Sequence, residues 1–274
     1  MSTLRKATRQ KAKIRLGLSA VSGGGKTYSA LLIAKGLCNG NLSKVAIIDT
    51  ENGSADLYAN LGDYNVLTLE SPFTPEKYIK AINDCENANM DVIIVDSITH
   101  EWDGKGGILE ISNSMAGNSY TNWAKITPRH TAFIDAILQS KCHIITTVRR
   151  KQDYEMVKND KGKLAPQKVG LKEVTREGFE YELTVNLELD TKHFASCSKD
   201  RTGLFADGIE FIPSEETGKL LYEWCENGIE PITNDDILNN CLTLSDLAQA
   251  YKNLPSEEQK RLTTLKDELK LKLS

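Results

Sequence analysis

The feature that most constrains this chain is the stretch AVSGGGKT, Ala20 to Thr27, set between an apolar segment, KIRLGLSA, and a helix-length run that begins at Lys26. It fits a spaced pattern: a small residue, four variable positions, then glycine, lysine and a hydroxyl residue. Gly23, Gly24 and Gly25 admit backbone dihedrals barred to other residues, so that several N–H groups converge on one anion, and the helix start adds its partial positive charge. Ser22, Gly23, Gly24, Gly25, Lys26, Thr27 and Tyr28 are therefore the candidate polyphosphate cradle. Lys26 is placed to reach the β- and γ-phosphates of ATP, and the Thr27 hydroxyl to sit on Mg²⁺.

Four short apolar segments, KIRLGLSA, KVAIIDT, MDVIIVDS and CHIITTV, alternate with helix-length stretches at 26–38, 75–88 and 120–140. Strands alternating with helices predict an α/β fold with a mainly parallel sheet. Two later segments, FEYELTVNLELD and KHFASCSKD, alternate apolar with polar residues and predict antiparallel strands added at a sheet edge. After Pro213 the pattern turns helical only. Leu244, Leu247, Ala248, Tyr251 and Leu254 fall at helical spacing, and SEEQ from Ser256 reads as a capping box opening a second helix. The expected organisation is a basic N-terminal arm over 1–13, a core over 14–213 and a small helical extension over 214–274.

A magnesium-dependent phosphate loop needs a further oxygen ligand at the end of a neighbouring strand, and DVIIVDS supplies Asp96. Serine follows it, so a hydrolytic base has to come from elsewhere. In VAIIDTEN, Asp49 and Glu51 lie two apart at a strand end and share a face, which makes Glu51 the candidate base for an attacking water. Glu101, in SITHEWD, is its rival.

Composition narrows the setting. The 274 residues are 40% hydrophobic and 26% charged, an ordinary balance for a globular chain. Six cysteines without a C-x-x-C pair suggest neither a zinc ribbon nor a disulfide scaffold. No apolar run approaches membrane-spanning length, so the expectation is a cytoplasmic chain without membrane contact. The net charge of −4 is unevenly spread: residues 149–172 hold eight basic and three acidic side chains, whereas 214–274 hold seven basic and twelve acidic.

The phosphate loop together with AIIDTENGSADLYA and VIIVDSITH resembles the RecA-like ATPases, and most closely the shortened RecA-like single-strand-annealing and recombination ATPases of bacteriophages. The resemblance spans roughly 14–207. It implies that Glu51 is catalytic, that Tyr58 lies near the adenine, and that Asp96 belongs to the magnesium site. HIITTVRRK is similar to the strand leading into the family's second DNA-binding loop. Thr147 there takes the place of a glutamine that senses the γ-phosphate. CSKDRTGLF looks like the strand whose two cations, here Lys199 and Arg201, reach the γ-phosphate of a neighbouring subunit. A homo-oligomer with ATP at its subunit interfaces follows from the resemblance, as do a bacterial host cytoplasm and a phage single-strand-binding or annealing protein as partner.

Two segments after strand ends suit a single-stranded nucleic acid, in which charge tracks the backbone and rings stack on bases. One, after Asp96, carries Trp102 and Lys105; the other, after Val148, opens with Arg149, Arg150 and Lys151. The sequence reading is a DNA-dependent ATPase of recombination, taking ATP, Mg²⁺ and single-stranded DNA. A phosphate-loop small-molecule kinase and a nucleotide-dependent scaffold are its alternatives.

Overall fold

The computed structural model describes residues 6–158, 164–205, 208–230 and 233–273. β1 (Arg15–Ala20) leads through the glycine loop into α1 (Lys26–Leu37), and β2 (Val45–Asp49) and β3 (Asn65–Thr68) follow, separated by a 3-10 stretch at Ser54–Leu61. α2 (Pro75–Asn87) precedes β4 (Val92–Asp96), after which come α3 (Thr99–Asp103), α4 (Ile108–Ser114) and α5 (Ser119–Gln139). The long β5 (His143–Lys158) pairs with β6 (Leu164–Glu173), and α6 (Phe179–Glu182), β7 (Val185–Leu189), β8 (Ala195–Asp200) and α7 (Glu215–Glu226) complete a compact unit, Ala12–Glu226.

The sheet runs β3-β2-β4-β5-β1-β7-β8, with every pair parallel except β7 with β8. This is the predicted α/β architecture. Because alternate residues of a strand face opposite ways, β2 feeds Val45 and Ile47 into the core under α1, and Ala46 and Ile48 into the core under α2 and α5. Both layers are closed to solvent: Leu16, Leu18, Ile33, Ile47, Tyr78, Ile93 and Phe133 are fully buried. Each such aliphatic or aromatic side chain contributes about 1.5–3 kcal/mol by leaving water. Parallel pairing also lines up strand ends, so that Asp49 lies beside Asp96 and Ser19 beside Val148.

Four expectations need correction. FEYELTVNLELD is not one edge strand: Phe179–Glu182 is a helical turn, and β7 is internal, parallel to β1 on one side and antiparallel to β8 on the other. The basic stretch after Val148 is not a loop. Beyond Arg149, β5 leaves the main sheet and pairs with β6 in an antiparallel two-stranded ribbon, Arg150 opposite Glu173. Among the described side chains of the ribbon none is buried, and a stretch without a buried face gives no hydrophobic alternation, so its strands read as loop. Lys161 and Lys163 of that stretch lie outside the described residues. Finally, the capping box is at Thr233–Asp236, whereas Pro255 precedes α10 without a side-chain cap.

The two-helix appendage is instead four short helices, α8 (Asn234–Asn239), α9 (Leu244–Lys252), α10 (Ser256–Arg261) and α11 (Thr263–Leu273), gathered round Leu238, Leu247, Leu254, Leu262 and Leu269. They belong to a second unit, Asn227–Ser274 with the N-terminal stretch through Lys11. In it Gln10 bridges Ile229 in parallel, and Lys11 pairs with Glu230 at 2.5 Å. α7 falls in the larger unit although it lies past Pro213, because it packs on α1. The two helices cross at Gly36 and Gly218, where a Cβ on either would overlap the other's backbone.

The Gly218→Val variant is therefore expected to lose about 1–3 kcal/mol through overpacking. Urea unfolding measures the loss, and an unchanged midpoint would show that the helix crossing tolerates a side chain.

Candidate nucleotide site

The glycine loop turns because Gly23 and Gly25 hold φ of 79° and 84°, in the left-handed region that glycine adopts freely. Its open side faces a cavity of about 510 Å³, lined by Ser22, Gly23, Gly25, Lys26, Thr27 and Tyr28 from the loop and α1, and by Glu51 and Tyr58 from the segment after β2. The volume suits a nucleotide-sized ligand. Tyr28 and Tyr58 stand with ring centroids 5.8 Å apart, an apolar wall at one end. Ser54 Oγ, shut from solvent and without a hydrogen-bond partner, lines the same cavity.

Asp96 is the buried anchor of the site. Thr27 Oγ1 donates to its Oδ2 at 2.5 Å and Thr147 Oγ1 to its Oδ1 at 2.5 Å. Burial pushes the Asp96 carboxyl up, and the two hydroxyls pull against that rise. Lys26 is 8% exposed, and its ammonium rests on the carbonyls of Ala20 and Val21 at 3.4 and 3.2 Å. Burial lowers its pKa, opposed by the charges of Glu51 and Asp96. A carboxylate and a hydroxyl, both hard oxygen donors, form the ligand set that magnesium takes, so the residues fit that ion.

Asp49 and Glu51 have separate tasks. Asp49 accepts from the backbone N–H groups of Glu51 at 2.6 Å and Ala55 at 3.2 Å, so it shapes the segment that carries Glu51. Glu51 Oε1 meets Arg149 Nε at 2.9 Å. Burial raises the Glu51 carboxyl, but the hydrogen bond and charge of Arg149, with Lys26 and His100, outweigh it and hold the group below the ordinary glutamate value. Arg149 was grouped by sequence with the DNA-facing cations; its side chain instead lines the nucleotide cavity. Its backbone is pinned too, with its N–H on Thr99 Oγ1 at 2.9 Å and its carbonyl accepting from Val174 at 2.8 Å.

The rival base is elsewhere. Glu101 is 1% exposed and held by His130 Nδ1 at 3.0 Å, away from the residues that line the cavity. Trp102 is no open stacking platform, since its ring lies 5.8 Å from Trp123 and 5.6 Å from His130. Lys105 is exposed. Arg150 pairs with Glu188 at 2.6 Å, and Lys151 stands 3.6 Å from Asp103 at the surface. Lys199 and Arg201 both donate to the carbonyl of Tyr181, beside edge strand β8, and neither lines the cavity. Sequence reasoning missed seven lining residues: Ser29, Leu32 and Ser54, next to the motifs it used, and Lys192, His193, Ile212 and Pro213, far from them. The last four come from the β7–β8 turn and the segment before α7, where no motif marks them.

Arg149→Ala is expected to let the Glu51 carboxyl titrate at higher pH while leaving thermal stability nearly unchanged, since a half-exposed ion pair is worth less than about 1 kcal/mol. NMR titration of labelled glutamate reads the shift. A Glu51 titration that stays where it is would show that Arg149 does not control it.

None of the curated proteins compared with the chain matches it. Residues 12–213, most of the chain, match the family described as AAA domain. With its phosphate loop, buried strand-end aspartate and mainly parallel sheet, the chain belongs to the AAA domain family and is by family a nucleotide-dependent ATPase.

Proposed function

We propose that this protein is a magnesium-dependent ATPase of RecA type that binds single-stranded DNA and acts in phage recombination or strand annealing. The observation that carries the nucleotide part is the convergence of Lys26, Thr27 and Glu51 round one cavity, with Asp96 held behind it by the Thr27 hydroxyl. Mg²⁺, when bound, would neutralise charge on the β- and γ-phosphates. Glu51 orients a water against the γ-phosphorus and takes its proton as the new P–O bond forms and the bond to the β-phosphate oxygen breaks, giving ADP and inorganic phosphate. Lys26 and the loop N–H groups hold the polyphosphate while charge shifts onto the leaving oxygen. Tyr28 and Tyr58 offer their rings to the base.

The DNA part rests on the ribbon and on resemblance. Arg150, Lys151, Lys168 and Lys172 lie on β5 and β6, and Arg149, at the foot of the ribbon, holds the carboxylate assigned as catalytic. A strand of nucleic acid drawn along the ribbon would act on the partner of the base, which couples binding to turnover. Lys199 and Arg201, beside an edge strand and outside their own cavity, suit a neighbouring subunit's γ-phosphate in a homo-oligomer with shared sites.

Three experiments test this reading. Lys26→Ala is expected to abolish hydrolysis, and unchanged turnover would end the phosphate-loop assignment. Arg201→Ala is expected to lose hydrolysis yet bind ATP, and mixing it with Glu51→Gln subunits to restore part of the activity; no rescue at any ratio would contradict a shared site. For DNA, anisotropy of a labelled oligonucleotide should show binding that weakens steeply with salt and falls in an Arg150→Ala, Lys151→Ala double variant.

A further inference from the structure

We infer that the β7–β8 turn is a second wall of hydrogen-bond donors in the nucleotide site, and that Lys192 and His193 contact the phosphates of a bound nucleoside triphosphate from the same subunit. The inference rests on the proposal that the cavity takes ATP. Both residues line the cavity together with the glycine loop. A Cβ built on Gly25 would lie 2.8 Å from His193 Nδ1, so the imidazole stands directly over the loop glycine. The carbonyl of Asp190, which opens the turn, also lies against Gly24, 3.6 Å from where its Cβ would be.

The turn is built to hold that pose. Asp190 Oδ1 accepts from the backbone N–H groups of Lys192 and Phe194, each at 2.8 Å, and the Asp190 carbonyl accepts from His193 N–H at 3.2 Å. His193 has φ of 70°, a left-handed conformation that costs a side-chain-bearing residue energy and that glycine would adopt freely. The turn therefore keeps an imidazole where a glycine would be easier. Among the described residues, neither Lys192 Nζ nor the His193 ring nitrogens have a hydrogen-bond or ion-pair partner, so their donors are available to a ligand. The cavity's other basic side chains, Lys26 and Arg149, are engaged, on loop carbonyls and on Glu51. A polyphosphate entering this cavity brings several negative charges, and charge-assisted hydrogen bonds from unpaired donors beside the loop are the natural response.

The test is the affinity of the full-length protein for Mg-ATP and for AMP, by calorimetry at low and moderate salt. It compares wild type with Lys192→Gln and His193→Asn, the latter because asparagine tolerates the left-handed conformation. Both variants are expected to keep the unliganded melting temperature and to lose ATP affinity by about five- to tenfold, with little change for AMP. Lys192→Gln is also expected to flatten the fall of ATP affinity with salt. ATP affinity within twofold of wild type in both variants would overturn the inference. Equal losses for ATP and AMP with an unaltered salt dependence would overturn it too, as the mark of a merely distorted pocket. A wild-type protein that binds no nucleotide would remove the ATP reading itself, and this inference with it.

Discussion

Everything in the candidate site hangs on the burial of one carboxylate. Asp96, at the end of β4, is 1% exposed, and water can satisfy almost none of its hydrogen-bonding capacity. Burying a charged group unpaired is costly, and here the compensation comes from two hydroxyls and from whatever cation the cavity admits. Thr27 approaches from the start of α1 and Thr147 from β5, so Asp96 ties the phosphate loop to the strand that becomes the ribbon. This works only because parallel pairing brings the ends of β1, β4 and β5 to one edge of the sheet. Ligands gather at that edge in open α/β folds for the same reason.

The second dependency is that of Glu51 on its neighbours. Asp49 fixes the backbone that carries it, and Arg149 fixes its carboxylate. A carboxylate held below its ordinary pKa is ionised at neutral pH and ready to accept a proton, but it is a weaker base while the guanidinium stays. On the proposed reading of Glu51 as the base, its strength is set by a residue at the foot of the β5–β6 ribbon, and the geometry of that foot is set by Thr99 and Val174. Chemistry and ribbon share one short stretch of backbone.

The parts of this arrangement that obey local rules were legible in the sequence. The glycine loop announces its turn by composition, and the apolar strands by β-branched runs ending in Asp49 and Asp96. Helices α2 and α5 match their expected spans within a residue or two. What stayed hidden depends on contacts distant in the chain. The described side chains of the ribbon include no buried one, so there was no periodicity to read there. The direction of the Arg149 side chain is decided by Glu51, 98 residues earlier. The burial of Glu101 is decided by a histidine on α5, and the place of Lys192 and His193 over the loop by the pairing of β7 with β1. Asp49 shows the limit from the other side: its spacing from Glu51 marked the pair, yet only the two backbone N–H groups it accepts from show that it scaffolds the segment that carries Glu51.

The central claim is that one cavity both binds ATP and spends it under control of single-stranded DNA. The measurement that tests it most directly is the rate of ATP hydrolysis with and without single-stranded DNA, for wild type and Glu51→Gln side by side. The account predicts a wild-type rate that rises with DNA, and a variant whose rate falls by about 10²- to 10⁴-fold, as loss of a general base implies, while it still binds nucleotide. Turnover that ignores DNA, or survives the loss of Glu51, would contradict it.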